Sequence, residues 1–124
     1  MKAREILVKL KESVSGIREA LIITEDGFPV VSTLEAGETE VRYTAGGAII
    51  CDAGQRGVRE LDLGLLEAVV TVGSEGYFVL SPVSDGMFLM IIASHNVALG
   101  MVLLKLKKSL PLLKSIFIER QGLK

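Results

Sequence analysis

The chain has 124 residues, enough for one domain with a core that needs neither disulfides nor metal. Hydrophobic residues make up 49% of it, the mean hydropathy is +0.47 and the formal net charge is −1, so a strong basic field for nucleic acid is excluded. Aromatics at 5%, with no tryptophan, leave few rings for stacking on single-stranded bases or sugars.

The apolar content exceeds what a small monomer readily buries, and a protein partner is the usual cover for the excess. A membrane span is excluded by length, because it needs roughly 20 apolar residues in a row. The longest runs, Met87–Ala93 and Val97–Leu104, fall short, and the second stops at Lys105. The opening Met1-Lys2-Ala3-Arg4-Glu5 has no long apolar stretch of the kind a signal peptide carries. A single cysteine cannot form an internal disulfide, so the cytoplasm is the expected location.

The first predicted element is a helix over about Lys2–Val14. Ala3, Leu7, Leu10 and Val14, with Ile6 beside them, recur at the spacing of one helical face. Ser15-Gly16 is its natural stop. Glu19–Thr24 and Pro29–Thr33 flank Glu25-Asp26-Gly27-Phe28 and read as a hairpin, with Pro29 placing the second strand at a sheet edge. A second helix is predicted over Thr39–Leu61 although Ala45, Gly46, Gly47, Ala48, Ala53, Gly54 and Gly57 crowd into it. Each interior glycine costs about 0.8–1.0 kcal/mol relative to alanine. The rows Gly46–Ile50–Gly54 and Ala45–Ile49–Ala53–Gly57 are read as faces that let another backbone approach.

Three apolar runs follow, Leu65–Val72, Tyr77–Val83 and Met87–Ala93, joined by Gly73-Ser74-Glu75-Gly76 and Ser84-Asp85-Gly86. They predict an antiparallel meander, with the last strand covered on both faces. A final helix is expected from an N-cap at Asn96, with Leu99, Val102, Leu103, Leu106 and Leu110 buried and Pro111 ending or kinking it. Lys105, Lys107 and Lys108 lie off that stripe and read as a solvated face in preference to a weak patch for an acidic partner or a membrane surface. The segment 111–124 is less typical of the rest. The fold class is therefore α/β (α+β), ordered α-β-β-α-β-β-β-α, one domain over 1–124. Its five-stranded antiparallel sheet has the order 2-1-5-4-3 and helices on both faces. The third strand is left with a long bare edge, which invites pairing with another chain.

The chain offers little chemistry. His95, the only histidine, sits at a strand-to-helix turn without metal-ligand spacing to any cysteine or carboxylate. Cys51 lies beside Asp52, which disfavours a thiolate, so a packing role is expected. None of the glycine groups has phosphate-loop spacing and context. Asp26 and Asp85 precede glycines in turns, which is ordinary turn chemistry. No cofactor, metal or catalytic residue is therefore expected. Asp52 and Arg56 are spaced to pair within the second helix, or equally across a two-fold axis.

Three blocks in order resemble the roadblock/LC7 domain family: Gly16–Ser32, Gly76–Gly86, and Met87–Ala93 followed by Asn96-Val97-Ala98-Leu99-Gly100. The resemblance spans about residues 2–110 and covers both the dynein light chain roadblock type and the prokaryotic GTPase-regulator-like members. It implies a profilin-like, non-catalytic domain that pairs with a copy of itself or a related chain through second helices and third strands. Family members scaffold dynein and lysosomal complexes or regulate Ras-like GTPases. One bacterial polarity member stimulates its partner's GTP hydrolysis without contributing an arginine finger. The dimer residues expected here are Ala45, Gly46, Ile49, Ile50, Asp52, Ala53, Arg56, Gly57, Ala68 and Val70. Asp52, Arg56 and Arg59 are expected to meet a small Ras-like GTPase. A scaffold indifferent to nucleotide is the alternative. A small-molecule sensor is a third reading, weakened because the sequence offers few polar groups to line a pocket.

Overall fold

In the computed structural model, which describes the backbone of residues 2–122 and the side chains of residues 2–117, the two most apolar runs lie side by side. They belong to β1 (Ile17–Thr24) and β5 (Met87–Ser94). Around them stand β2 (Pro29–Ser32), β3 (Val69–Val72) and β4 (Gly76–Ser84) in one five-stranded antiparallel sheet of order β2-β1-β5-β4-β3. Three helices cover it: α1 (Ala3–Ser13), α2 (Glu38–Glu60) and α3 (Leu99–Gly122).

Alternation along the central strands divides the core in two. Ala20, Ile22, Leu89, Ile91 and Val79 point to the face covered by α1 and α3, where Leu7, Val102, Leu106 and Leu113 meet them. Leu21, Ile23, Leu80, Phe88 and Met90 point to the face covered by α2, where Cys51 meets them. The β1–β2 turn is closed by Thr24, whose Oγ1 accepts from Phe28 N at 3.0 Å, and by Gly27 in the left-handed region at φ +96°. Pro29 lies on the edge strand, where its missing N–H costs no ladder bond.

Expectations at the ends of β3 and α3 are corrected. The third strand does not run over Leu65–Val72; only Val69–Val72 pairs with β4. Continued, the register would set Glu67 opposite Pro82, which offers no backbone donor, and Ser81 Oγ donates to Glu67 O at 2.8 Å in place of a ladder bond. Asn96 is not the N-cap, because α3 begins at Leu99 and Met101 N donates to Ala98 O. Val97 is buried, its N–H bonded to Ser94 O and its carbonyl accepting from Tyr77 Oη at 2.8 Å, which holds residues 94–97 in a turn. Leu99, expected in the buried stripe, is 38% exposed as a result.

Pro111 does not end α3 either: the helix runs through it to Gly122. Pro111 is on the solvent side, while Leu113 and Phe117 beyond it are buried against the sheet. The burial of those two side chains outweighs the bond that proline cannot make.

Candidate functional site

Helix α2 packs on the sheet by its small residues. A Cβ on Gly47 would lie 2.7 Å from Ile23 Cδ1, and one on Gly54 would lie 2.5 Å from Val69 Cγ2. These two glycines draw α2 down onto its own chain. The row Gly46–Ile50–Gly54 is thus not an outward face, since Gly54 touches Val69 and Leu66, and Ile50 is half-buried against the α2-side core.

The other row faces out. Ala45, Ile49 and Ala53 are exposed, with Ile49 at the middle of the helix 69% exposed, and Val41 extends the row toward the N-terminus. Gly46 and Gly57 meet nothing within 4 Å on this side. Asp52 and Arg56 are exposed beside the row, and Arg56 Nε donates to Asp52 at 3.1 Å within the helix. Arg59 is exposed and has no ion-pair partner among the described residues. At the sheet edge Val70 is 39% and Val72 73% exposed, on the opposite face of the sheet from α2, and Ala68 is exposed just before them.

Sequence reasoning missed two features. Leu61, Leu63 and Leu65, in the loop between α2 and β3, are 70%, 66% and 92% exposed. Leu61 closes the predicted helix, Leu65 opens the predicted strand and Leu63 falls between them; Asp62 and Gly64, both in the left-handed region at φ +55° and +85°, mark the loop. Beside this loop an open cleft of about 870 Å³ runs between α2 and the β1–β2 and β4–β5 turns, lined by Glu25, Gln55, Arg59, Leu65, Asp85 and Phe88 among others. Its polar groups converge from elements far apart in the chain, so no single run of the sequence marks them. Ser84 Oγ, also on its lining, is buried without a hydrogen-bond partner among the described residues. A second recess of about 420 Å³, lined by Asp26, Asp52, Arg56 and Arg59, adjoins the outward face of α2.

Nucleophilic chemistry has little to work with. Cys51 is fully buried, and burial together with the nearby Glu25 carboxylate pushes its thiol up to about 12, so it is a neutral packing group at neutral pH. His95 is exposed in the turn after β5, and no group of three or more metal-ligating side chains occurs among the described residues.

A sheet of this order with one long helix on one face and two on the other defines a profilin-like domain. Acanthamoeba castellanii profilin II superposes on it with a TM-score of 0.64 at 13% identity, over 92% of this chain and 98% of that one. The family model for the Roadblock/LC7 domain matches residues 3–93, and the chain belongs to that family. Its members are non-enzymatic adaptor and regulatory domains.

A Roadblock/LC7 domain from Streptomyces avermitilis superposes with a TM-score of 0.86 at 14% identity, covering 95% of this chain and 99% of that one. MglB of Myxococcus xanthus superposes with a TM-score of 0.80 at 18% identity, over 94% of this chain and 87% of that one. Two uncharacterized proteins of Methanocaldococcus jannaschii, MJ0310 and MJ1340, are each 22% identical over 112 residues, 90% of this chain and 96% of their own length.

Proposed function

We propose that this chain is a non-catalytic homodimeric adaptor that binds a small Ras-like GTPase and modulates its nucleotide cycle. The observation that carries the pairing is Ile49, a large apolar side chain left 69% exposed in the middle of α2 and flanked by Ala45 and Ala53. An apolar row with small neighbours suits a second helix packed close against it. The short β3 adds unpaired backbone groups at the sheet edge next to Ala68 and Val70, and those groups suit pairing with another β3.

The GTPase half rests on family membership and on likeness to MglB, one structure of which is described as a tetrameric arrangement. Asp52, Arg56 and Arg59 flank the recess beside α2 and are the polar contacts assigned to the partner. Affinity capture of Ras-like GTPases from the native host, repeated with GTP and GDP analogues, tests the reading. Nucleotide-dependent retention of a GTPase supports it. Equal retention in both nucleotide states favours the scaffold reading, and no GTPase retained together with unchanged GTP turnover sinks it. The open cleft beside the leucine loop favours a sensor only if a metabolite panel shifts the thermal midpoint.

A further inference from the structure

The net charge of −1 conceals a separation. Residues 2–17 and 99–117, which contain α1 and α3, carry eight basic side chains against two acidic ones, whereas residues 18–98 carry four basic against twelve acidic. No lysine occurs between Lys11 and Lys105, and no aspartate or glutamate between Gly86 and Ile118. Because α1 and α3 cover the same face of the sheet, the separation in sequence is largely a separation in space; Glu19 of β1 crosses it, pairing with Lys11 at 2.9 Å.

The basic face is also greasy. A groove of about 220 Å³ between the two helices has Ile6, Leu10 and Leu112 among its lining and Lys9, Lys105 and Lys108 beside them. None of these three lysines has an ion-pair partner among the described residues. On α3, Met101, Leu104 and Leu112 are 44%, 45% and 54% exposed, interleaved with the lysines. The acids of the layer, Glu5 and Glu12, are exposed on α1 and do not line the groove.

Lysines on long stems around exposed leucine and methionine are the composition of a helix that lies at a lipid interface, with charges over headgroups and apolar side chains below them. A nucleic-acid backbone has no use for the apolar side chains. An acidic protein is gripped best by the planar fork of arginine, and Arg4 is the only arginine among residues 2–17 and 99–117. No described helix is long and apolar enough to cross a membrane, so the contact is peripheral.

We infer that the α1/α3 face docks reversibly on an anionic lipid bilayer, with Lys105, Lys107 and Lys108 over the headgroups and Met101, Leu104 and Leu112 at the acyl boundary. The α2 face then points away from the bilayer. If two chains pair through β3, both basic layers lie on one side of the joined sheet and their contacts reinforce each other; this last step alone rests on the pairing proposed above.

The test is co-sedimentation of the full chain with phosphatidylcholine vesicles, with and without phosphatidylglycerol. Binding is expected only with phosphatidylglycerol and should fall as salt is raised. Combined Lys105→Glu, Lys107→Glu and Lys108→Glu substitutions should weaken it at least about tenfold, and the milder Lys→Gln set keeps the test informative if the reversal perturbs folding. Leu104→Ser should weaken binding severalfold with an unchanged circular dichroism spectrum. An Ile49→Arg chain should still bind, more weakly if it has been a dimer, so loss of pairing and loss of lipid contact read out separately. No binding to anionic vesicles, equal binding to neutral ones, or indifference to the lysine substitutions overturns the inference. So does tighter, lysine-dependent binding to duplex DNA or to polyglutamate than to the vesicles.

Discussion

Gly54 and Val69 touch across the junction of α2 and β3: a Cβ added to Gly54 would stand 2.5 Å from Val69 Cγ2, while one added to Gly57 would meet nothing within 4 Å. Two glycines less than one turn apart thus serve different purposes. One admits the chain's own strand, and the other lies on the open side.

The substitution Gly54→Ala gains about 1 kcal/mol of helix propensity. It also forces a contact against a β-branched side chain that has little rotamer freedom, at a cost of about 1–3 kcal/mol. A net loss of up to about 2 kcal/mol is expected. Gly57→Ala meets no such contact within its own chain and, compared in the Ile49→Arg background where pairing is removed, should gain up to about 1 kcal/mol. Urea unfolding at one fixed protein concentration compares them, and equal midpoints would contradict the assignment of faces.

Pairing through α2 predicts that Ile49→Arg, or a bulky residue at Gly46 or Ala53, lowers the light-scattering mass toward that of one chain. Ile49 is 69% exposed within the chain, so its replacement should leave the far-ultraviolet circular dichroism spectrum unchanged. A wild-type chain that is already monomeric, or variants that keep the dimer mass, would place the contact elsewhere.

The Asp52–Arg56 pair, with side chains 64% and 72% exposed, separates a structural role from a recognition role. An exposed helical pair is worth about 0.3–0.5 kcal/mol, so Arg56→Ala should barely move the urea midpoint. Arg59→Glu, at a position with no ion-pair partner among the described residues, should cost still less. If these groups meet the GTPase, both variants should weaken its capture at least about tenfold, the effect of 1.4 kcal/mol. Unchanged capture would remove them from the partner surface.

What the sequence made legible was the part governed by short-range pattern. Strand order followed from which runs lacked polar residues, so β1 and β5 were placed together at the centre. The end of β3 was not legible, because it depends on Pro82 and Ser81 in a neighbouring strand. Nor was the division of α2, since period alone does not say whether a glycine admits a neighbour from the same chain or from another. The start of α3 was misread at Asn96 because the buried Val97 and the Tyr77 hydroxyl override local capping preference. The cleft was invisible because Glu25, Gln55, Arg59 and Asp85 come together only in three dimensions.

The continuation of α3 beyond Pro111 is tested by Leu113→Ala. Leu113 is fully buried in the α1/α3-side core, and removing its side chain should cost about 2–5 kcal/mol. Leu112→Ala, at the adjacent position 54% exposed, should cost far less. Similar small effects for both would mean that the helix does not dock beyond the proline.

Alkaline pH tests the buried core on the α2 side. Burial and the Glu25 carboxylate raise the Cys51 thiol from 9.0 to about 12 in the folded chain. Below pH 9.0 the thiol is neutral in both states and adds no pH dependence. Above it the unfolded thiol ionises while the folded one stays protonated, so the unfolded state binds fewer protons and stability falls with rising pH. The fall should continue until the folded thiol itself ionises near pH 12. Tyr77, raised from 10.0 by burial, adds a fall of the same sign starting higher. Urea unfolding from about pH 8 to about pH 11 should therefore show a shallower decline for Cys51→Ala than for the wild type. The thiol should also resist iodoacetamide in the folded chain and react once the chain is unfolded. Parallel pH profiles for the two proteins would mean that the Cys51 site is open to water.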